Sequence, residues 1–522
     1  MNPMNAWRRP LALAGLLSAL LVAATLATST PPADAADLPA RPEQLKYPPM
    51  KYAPPKAADY RVKLANGIAA YLAPDKAIPL VTVTVLMRVG PDLDPAGKEG
   101  LASTMVHLLT RGGTPTMTAE QLEERLAFLG AQLESGMGSG GGMMGQGGVP
   151  ITGTESRVTL NLLTKDLDEG LALLTACLKN AAFQEDRLKL RKDQQLQNMK
   201  QRNDATADLE EREWGFLMRG AEHWSNRYPT EASINSLTRE DLVALQKRYV
   251  GPQNFVIAVA GDFDRMAMKA KLEKAFAGWP TPGEHPGSPQ PPTAPAAQGW
   301  YVVDKDVNQT RVSLGLRTLD RYDPDFYVAQ VMNYVLGGGG FTSRLVNRIR
   351  SDEGLAYSVR SSFEGGAYYA DPWRAFFQTK ARSTAFAISI ALTEIGRVRD
   401  SLVTPGELET AKSALIEGFP ARFPTAQAIA GALAADELTG RYQKDPAHLS
   451  QYASRIGAVS LADVQRVAQR LLDPAKLAFL MVGSAKEMVL PDGKHDVTLT
   501  KLAGGEPKRI PLRDPMTMKP MP

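Results

Sequence analysis

Hydrophobic and polar positions alternate over residues 80–89, the pattern of a strand with one buried face. Upstream, residues 60–65 and 68–72 flank Asn66 and Gly67, a pair suited to a two-residue hairpin turn. Helices are predicted over 98–130, a strand over 158–163, and long helices from 166 to about 203. Further on, the pattern predicts strands over 299–316, helices over 323–350 and strands over 357–380. Strands and helices come in groups rather than in strict alternation. That predicts the α+β class: two homologous halves, each a mostly antiparallel sheet with helices on one face.

The two halves are visible as an internal repeat. Thr238 and Asp241 open an amphipathic helix, Pro252 turns the chain, and an apolar run ends at Gly261. The same layout recurs without a gap 222 residues later as Ser460, Asp463, Pro474 and Gly483. Thr118 with Gln121, and Thr404 with Glu407, form capping boxes at a second pair of helix starts. Such a repeat marks a duplication. Between the copies, residues 280–298 are rich in proline and read as a semi-rigid linker. The predicted order is therefore an N-terminal half over 58–279, the linker, a C-terminal half over 299–490 and a tail over 491–522.

Ahead of these, Arg8 and Arg9 precede an apolar stretch, and Ala33-Asp34-Ala35 offers a small-residue cleavage site. Residues 1–35 thus read as a signal peptide, followed by a Pro-rich extended arm over 36–57. The expectation is an exported protein, periplasmic in a Gram-negative source, with no transmembrane helix after cleavage. A net charge of +4 over 522 residues, with no basic stripe carrying interleaved aromatics, argues against a nucleic-acid partner. The single cysteine, Cys177, excludes an internal disulfide and a cysteine-based zinc cluster, and its apolar surroundings predict burial.

The most specific motif lies in the C-terminal half. Gly337, Gly338, Gly339 and Gly340 leave bare backbone that another chain can approach. An amphipathic turn follows, and then Arg350 and Tyr357 stand seven residues apart. Together with the length, the duplication and the linker, this resembles the substrate-binding half of insulinase/pitrilysin-type zinc peptidases, the inverzincins, and the short mitochondrial-processing-type members above all. The resemblance spans residues 58–490. It implies that Arg350 and Tyr357 bind a peptide backbone, with the tyrosine hydroxyl aimed at the oxyanion. Taken without it, Arg350 reads as an ion-pair partner of Asp352 or Glu353, and Tyr357 as a core residue opening a strand.

The zinc half of the resemblance fails. The family's catalytic helix carries His-x-x-Glu-His, two ligands on one helical face with a general base between them. In the matching stretch, Ser103 replaces the first histidine, Val106 replaces the base, and only His107 remains. The later helix places Asn198 at the third ligand position and Arg191 seven residues earlier. No metal is therefore expected in this chain. Among the other histidines, His223 reads as solvent-exposed and His285 belongs to the linker. A Gly/Met-rich insertion over 136–148 reads as a flexible loop, with soft-metal capture as the alternative.

The resemblance thus implies a non-catalytic, substrate-binding subunit. Its partner would be a zinc-motif-bearing peptidase of the same family, with zinc in the partner and peptides as substrates. The alternatives are an inert structural or binding protein of the same fold, and an enzyme using a different site.

Overall fold

The computed structural model describes residues 52–138, 153–363 and 365–522. Residues 53–522 form one compact unit. The predicted signal peptide, residues 36–51 of the arm, and most of the Gly/Met insertion lie outside the described residues.

The N-terminal half holds β1 (Arg61–Lys63), β2 (Ala69–Pro74), β3 (Leu80–Met87), β4 (Gln132–Met137), β5 (Ser156–Leu163) and β6 (Phe255–Gly261). They form one sheet in the order β1-β2-β6-β3-β5-β4, antiparallel except where β2 meets β6. Its helices include α1 (Leu101–Leu109), α2 (Ala119–Phe128), α3 (Leu167–Asn180), α4 (Glu185–Lys200), α5 (Thr206–Arg219) and α6 (Arg239–Tyr249). The C-terminal half repeats the plan with β7 (Gly299–Asp304), β8 (Gln309–Leu319), β9 (Val359–Ser362), β10 (Asp371–Lys380), β11 (Ala478–Gly483) and β12 (Lys508–Arg509). Their order is β12-β7-β11-β8-β10-β9, parallel only on either side of β7. Its helices include α7 (Phe326–Asn333), α8 (Thr384–Asp400), α9 (Pro405–Glu417), α10 (Ala426–Leu438) and α11 (Leu461–Leu471). The predicted α+β class holds for both halves.

The duplicated signals fold as duplicated structure. Thr238 and Ser460 both close capping boxes, at α6 and α11, and β6 and β11 end at Gly261 and Gly483. Thr118 and Thr404 cap α2 and α9 in the same way. The hairpin differs from the predicted two-residue turn. Leu64 and Ile68 still pair, so the loop is Ala65-Asn66-Gly67, with Gly67 at φ +93°. Only glycine takes that backbone without strain, which gives a type I turn plus bulge. The long helices predicted over 166–203 are α3 and α4, separated by a turn in which Phe183 takes φ +48°. Two short strands, β4 and β12, carry too weak a pattern to be predicted. β12 draws the tail onto β7, and Met516 then accepts a hydrogen bond from Glu231 of the N-terminal half at 2.8 Å.

Each sheet has helices of its own half on one face, and its other face is covered as well. In β2, five consecutive residues are buried, and in β11 all six. The second cover is exchanged between halves: α5 lies on β8 and β11, while α10 lies on β2 and β6. The α10 segment is rich in alanine, and the two strands it covers carry the small buried residues Ala69, Ala73, Ala258 and Ala260, which lets helix and strand backbones approach closely. On the opposite side, Leu209, Trp214, Leu217 and Met218 of α5 pack on Val303, Leu480 and Val482.

A carboxylate anchors each exchanged helix. Glu437 of α10 accepts both Arg61 nitrogens at 3.0 Å and the Tyr71 hydroxyl at 2.7 Å. Glu210 of α5 accepts the Ser313 hydroxyl at 2.5 Å and meets Arg311 and Arg374 at 3.2 and 3.4 Å. The linker is fastened too: Gln253 donates to Pro282 O at 2.8 Å and Ala297 to Leu217 O at 2.7 Å.

Candidate functional site

The helix compared with the zinc-binding helix is α1. Its first turn is held by the buried Asp94 carboxylate, which accepts the backbone N–H groups of Gly100 and Ala102 at 2.8 and 2.7 Å. Ser103 donates to Gly100 O at 3.0 Å. Val106 is core. One turn beyond Ser103, His107 is half-buried. Burial, and then the nearby guanidinium groups of Arg191 and Arg111, push its pKa down to about 4, so the ring is neutral at pH 7.

Opposite α1 runs α4. The α4 side chain that reaches Ser103 is Gln195, not Asn198, which is exposed. Gln195 accepts the Thr104 hydroxyl at 3.1 Å and donates to Ser103 Oγ at 3.5 Å. The inward face of α4 follows the helical period through Leu188, Arg191, Gln195 and Met199, and Asn198 falls off it. The two buried apolar residues, Leu188 and Met199, were the signal that could have located that face.

These residues do not fit zinc. A hydroxyl, a carboxamide and one imidazole supply too few of the donors that zinc takes, and Arg191 brings positive charge to the same place. Among the described residues, no group of three or more His, Cys, Asp or Glu side chains is placed to hold a metal ion. Cys177 is fully buried, and burial pushes its thiol up to about 12. His223 is buried rather than exposed. Its ring contacts Ser225 Oγ at 2.8 Å and the linker carbonyl of Gln290 at 3.3 Å. His223 sits between two structural segments, which removes it from solvent.

The glycine-rich motif follows α7. Residues Tyr334–Gly338 form a π-helical turn. Gly337 is buried, and a Cβ there would lie 2.6 Å from Ser361 Oγ of β9. The first glycine therefore serves a close approach within the chain, not the approach of another one. Gly338 and Gly340 are exposed, and Gly340 takes φ +58°. Buried contacts lock this platform. Asn333 Oδ1 accepts from Ser361 Oγ at 2.6 Å and from Trp373 Nε1 at 2.9 Å. Arg344 grips Glu407 through two hydrogen bonds of 2.6 and 2.8 Å, tying the motif to the capping box of α9.

Arg350 and Tyr357 come together on this platform. The guanidinium carbon of Arg350 lies 4.8 Å from the centroid of the Tyr357 ring and 4.5 Å from that of Phe341. The acids near it pair elsewhere: Arg348 takes Asp352 at 2.6 Å. Tyr357 is no core residue. It is 85 % exposed, precedes β9, and its hydroxyl has no hydrogen-bond partner among the described residues. Phe341, at 65 % exposure, is the member of this cluster that sequence reasoning missed. A large aromatic after a glycine run was its signal. The arrangement presents fixed donors and a phenol to solvent, which suits recognition of peptide carbonyl groups.

Comparison with known proteins relates most of the chain to one family of folds. Residues 236–415 match the family profile described as Peptidase M16 inactive domain. An uncharacterised zinc protease of Mycobacterium leprae is 25 % identical over 442 residues, covering 83 % of this chain and 93 % of that protein. The crystal structure of a peptidase M16 inactive domain from Pseudomonas fluorescens aligns with a TM-score of 0.67 at 21 % identity, over 81 % of this chain and 97 % of the other. The periplasmic protease PqqL from Escherichia coli aligns with a TM-score of 0.65 at 14 % identity, over 89 % of this chain and 50 % of the other.

Proposed function

We propose that this chain, which belongs to the insulinase/pitrilysin-type (M16) peptidase family, is the substrate-binding subunit of a two-chain zinc metallopeptidase. A separate family member with an intact His-x-x-Glu-His helix holds the zinc and the general base. This chain contributes Arg350 to hold the peptide backbone and Tyr357 to donate a hydrogen bond to the oxyanion. The exposed loop at Gly338 and Gly340 borders the path of the peptide. Export to the periplasm agrees with the N-terminal sequence pattern, and a similar fold is known in a periplasmic protease.

One observation carries the reading: Arg350 and Tyr357 are held on a rigid platform with their donors free, while Ser103, Val106 and Gln195 leave no zinc chemistry on α1 and α4. A relic in an inert structural protein would gain nothing from leaving them unpartnered.

The test is to purify the chain with and without a zinc-motif family member from the same source, and to assay cleavage of an unstructured peptide. Each chain alone should be slow and the mixture fast, with zinc bound by the partner. Tyr357→Phe should lower kcat by about 10²–10³-fold, the usual loss of one oxyanion donor. A mixture that cleaves nothing, or an unchanged rate in Tyr357→Phe, would falsify the proposal.

A further inference from the structure

The face between α1 and α4 is not neutral. Helices α1 and α4 pass each other in opposite senses: Ser103 meets Gln195, and one turn further along each, His107 neighbours Arg191. Arg111 follows one turn beyond His107, near enough for its charge to act on Arg191. Arg191 is half-buried, and its Nε is out of contact with solvent with no hydrogen-bond acceptor. Among the described residues, neither arginine has a carboxylate partner, and the charged neighbour of Arg191 is another cation.

A guanidinium drawn out of water is ordinarily paired, because losing hydration without a counter-charge is costly. Two guanidinium groups beside an imidazole, with no acid, form a positive surface with unused donors. This surface lies next to a sheet edge. Ser135 of β4 contacts Thr110 Oγ1 at 3.0 Å and His107 O at 3.4 Å, and β4 is the last strand of its sheet.

We infer that the Arg191–His107–Arg111 surface is an anion site, and that its ligand is the carboxylate of a bound peptide. Arg191 is a desolvated cation with an unused donor and Arg111 adds a second positive charge, so the face attracts an anionic oxygen. A carboxylate from the peptide C-terminus and one from an Asp or Glu side chain present the same chemistry, and both match the fork of Arg191. The peptide nature of the ligand rests on the substrate-binding reading above; the carboxylate site itself requires only this chain.

The experiment uses the isolated full chain and fluorescence anisotropy of a labelled hexapeptide in three forms: free C-terminal acid, C-terminal amide, and amide with one internal glutamate. Wild type should bind at least one acidic form about tenfold more tightly than the neutral amide, which corresponds to one charge-assisted pair. Preference for the free acid assigns the C-terminus, and preference for the glutamate peptide assigns a side chain. R191Q should abolish the preference. R111Q, at an exposed position that does not endanger folding, should reduce it. The remote R248Q, also exposed, should leave it unchanged and so controls for net charge. Equal affinity for all three peptides, or a preference that survives in both R191Q and R111Q, overturns the inference. Peptide cleavage by the two-chain mixture without a carboxylate preference would sink this site alone. A preference without cleavage would sink the partner-subunit reading alone.

Discussion

Replacing Glu437 with alanine should loosen the half of the molecule to which Glu437 does not belong. The residue lies on α10 of the C-terminal half, but its carboxylate is held by Arg61 and Tyr71 of the N-terminal half. Tyr71 is fully buried, so Glu437→Ala removes the acceptor of a hydroxyl that has no contact with solvent in the folded chain. An unsatisfied buried donor costs about 1–3 kcal/mol. The Arg61 side chain is 30 % exposed and can rehydrate, so its ion pair adds only about 1 kcal/mol at most. The total is about 2–4 kcal/mol, large against the marginal stability of a domain. Hydrogen exchange read by mass spectrometry locates the effect: amides of β2 and β6 should exchange faster, together with those of α10. Adding Tyr71→Phe removes the stranded hydroxyl, so the double variant should be less destabilised than the sum of the two single ones. Faster exchange confined to α10, or strict additivity with Tyr71→Phe, would refute the idea that α10 is bound into the other half through this carboxylate.

Three further outcomes follow from the site geometry. Gly337→Ala forces a Cβ to within 2.6 Å of Ser361 Oγ and should cost about 1–3 kcal/mol by overpacking; an unshifted melting temperature would show that β9 yields freely. Phe341→Ala removes one face of the Arg350 stack, worth about 0.5–1 kcal/mol, and should lower kcat/KM of the assembled peptidase by about two- to fivefold; full activity would mean that Tyr357 alone orients Arg350. His107 and His223 should both titrate near pH 4 by NMR, because each is desolvated and lies near arginines. Unfolded, they take up protons near pH 6.5, so their contribution to stability is complete above that pH and is lost as pH falls towards 4. Arg191→Gln should raise the His107 midpoint and leave that of His223 in place; if both move together, Arg191 is not the local cation.

Much of the candidate site was legible in the sequence because its signals are local. The seven-residue spacing of Arg350 and Tyr357, the substitution of Ser103 and Val106 in a helical frame, and the capping boxes at Thr118 and Thr404 each depend on neighbours within a few turns. The third position on α4 was not legible. Choosing Gln195 over Asn198 requires knowing how α4 is rotated against α1, and that rotation is set by where Leu188 and Met199 find their cavities.

By itself the sequence determined a duplicated α+β chain, because hydrophobic period, turn residues and helix caps act through the backbone nearby. It also set the side chains that α1 carries, Ser103, Val106 and His107, since no packing can turn Val106 into a base. Only the tertiary structure decided which half each exchanged helix covers, and that Arg350 stacks between Phe341 and Tyr357 while Arg348 takes the nearby acid. Those outcomes depend on complementarity between segments far apart in the chain. An alanine-rich face fits an alanine-lined sheet, and a buried carboxylate settles where distant donors converge, and neither preference is written in local spacing.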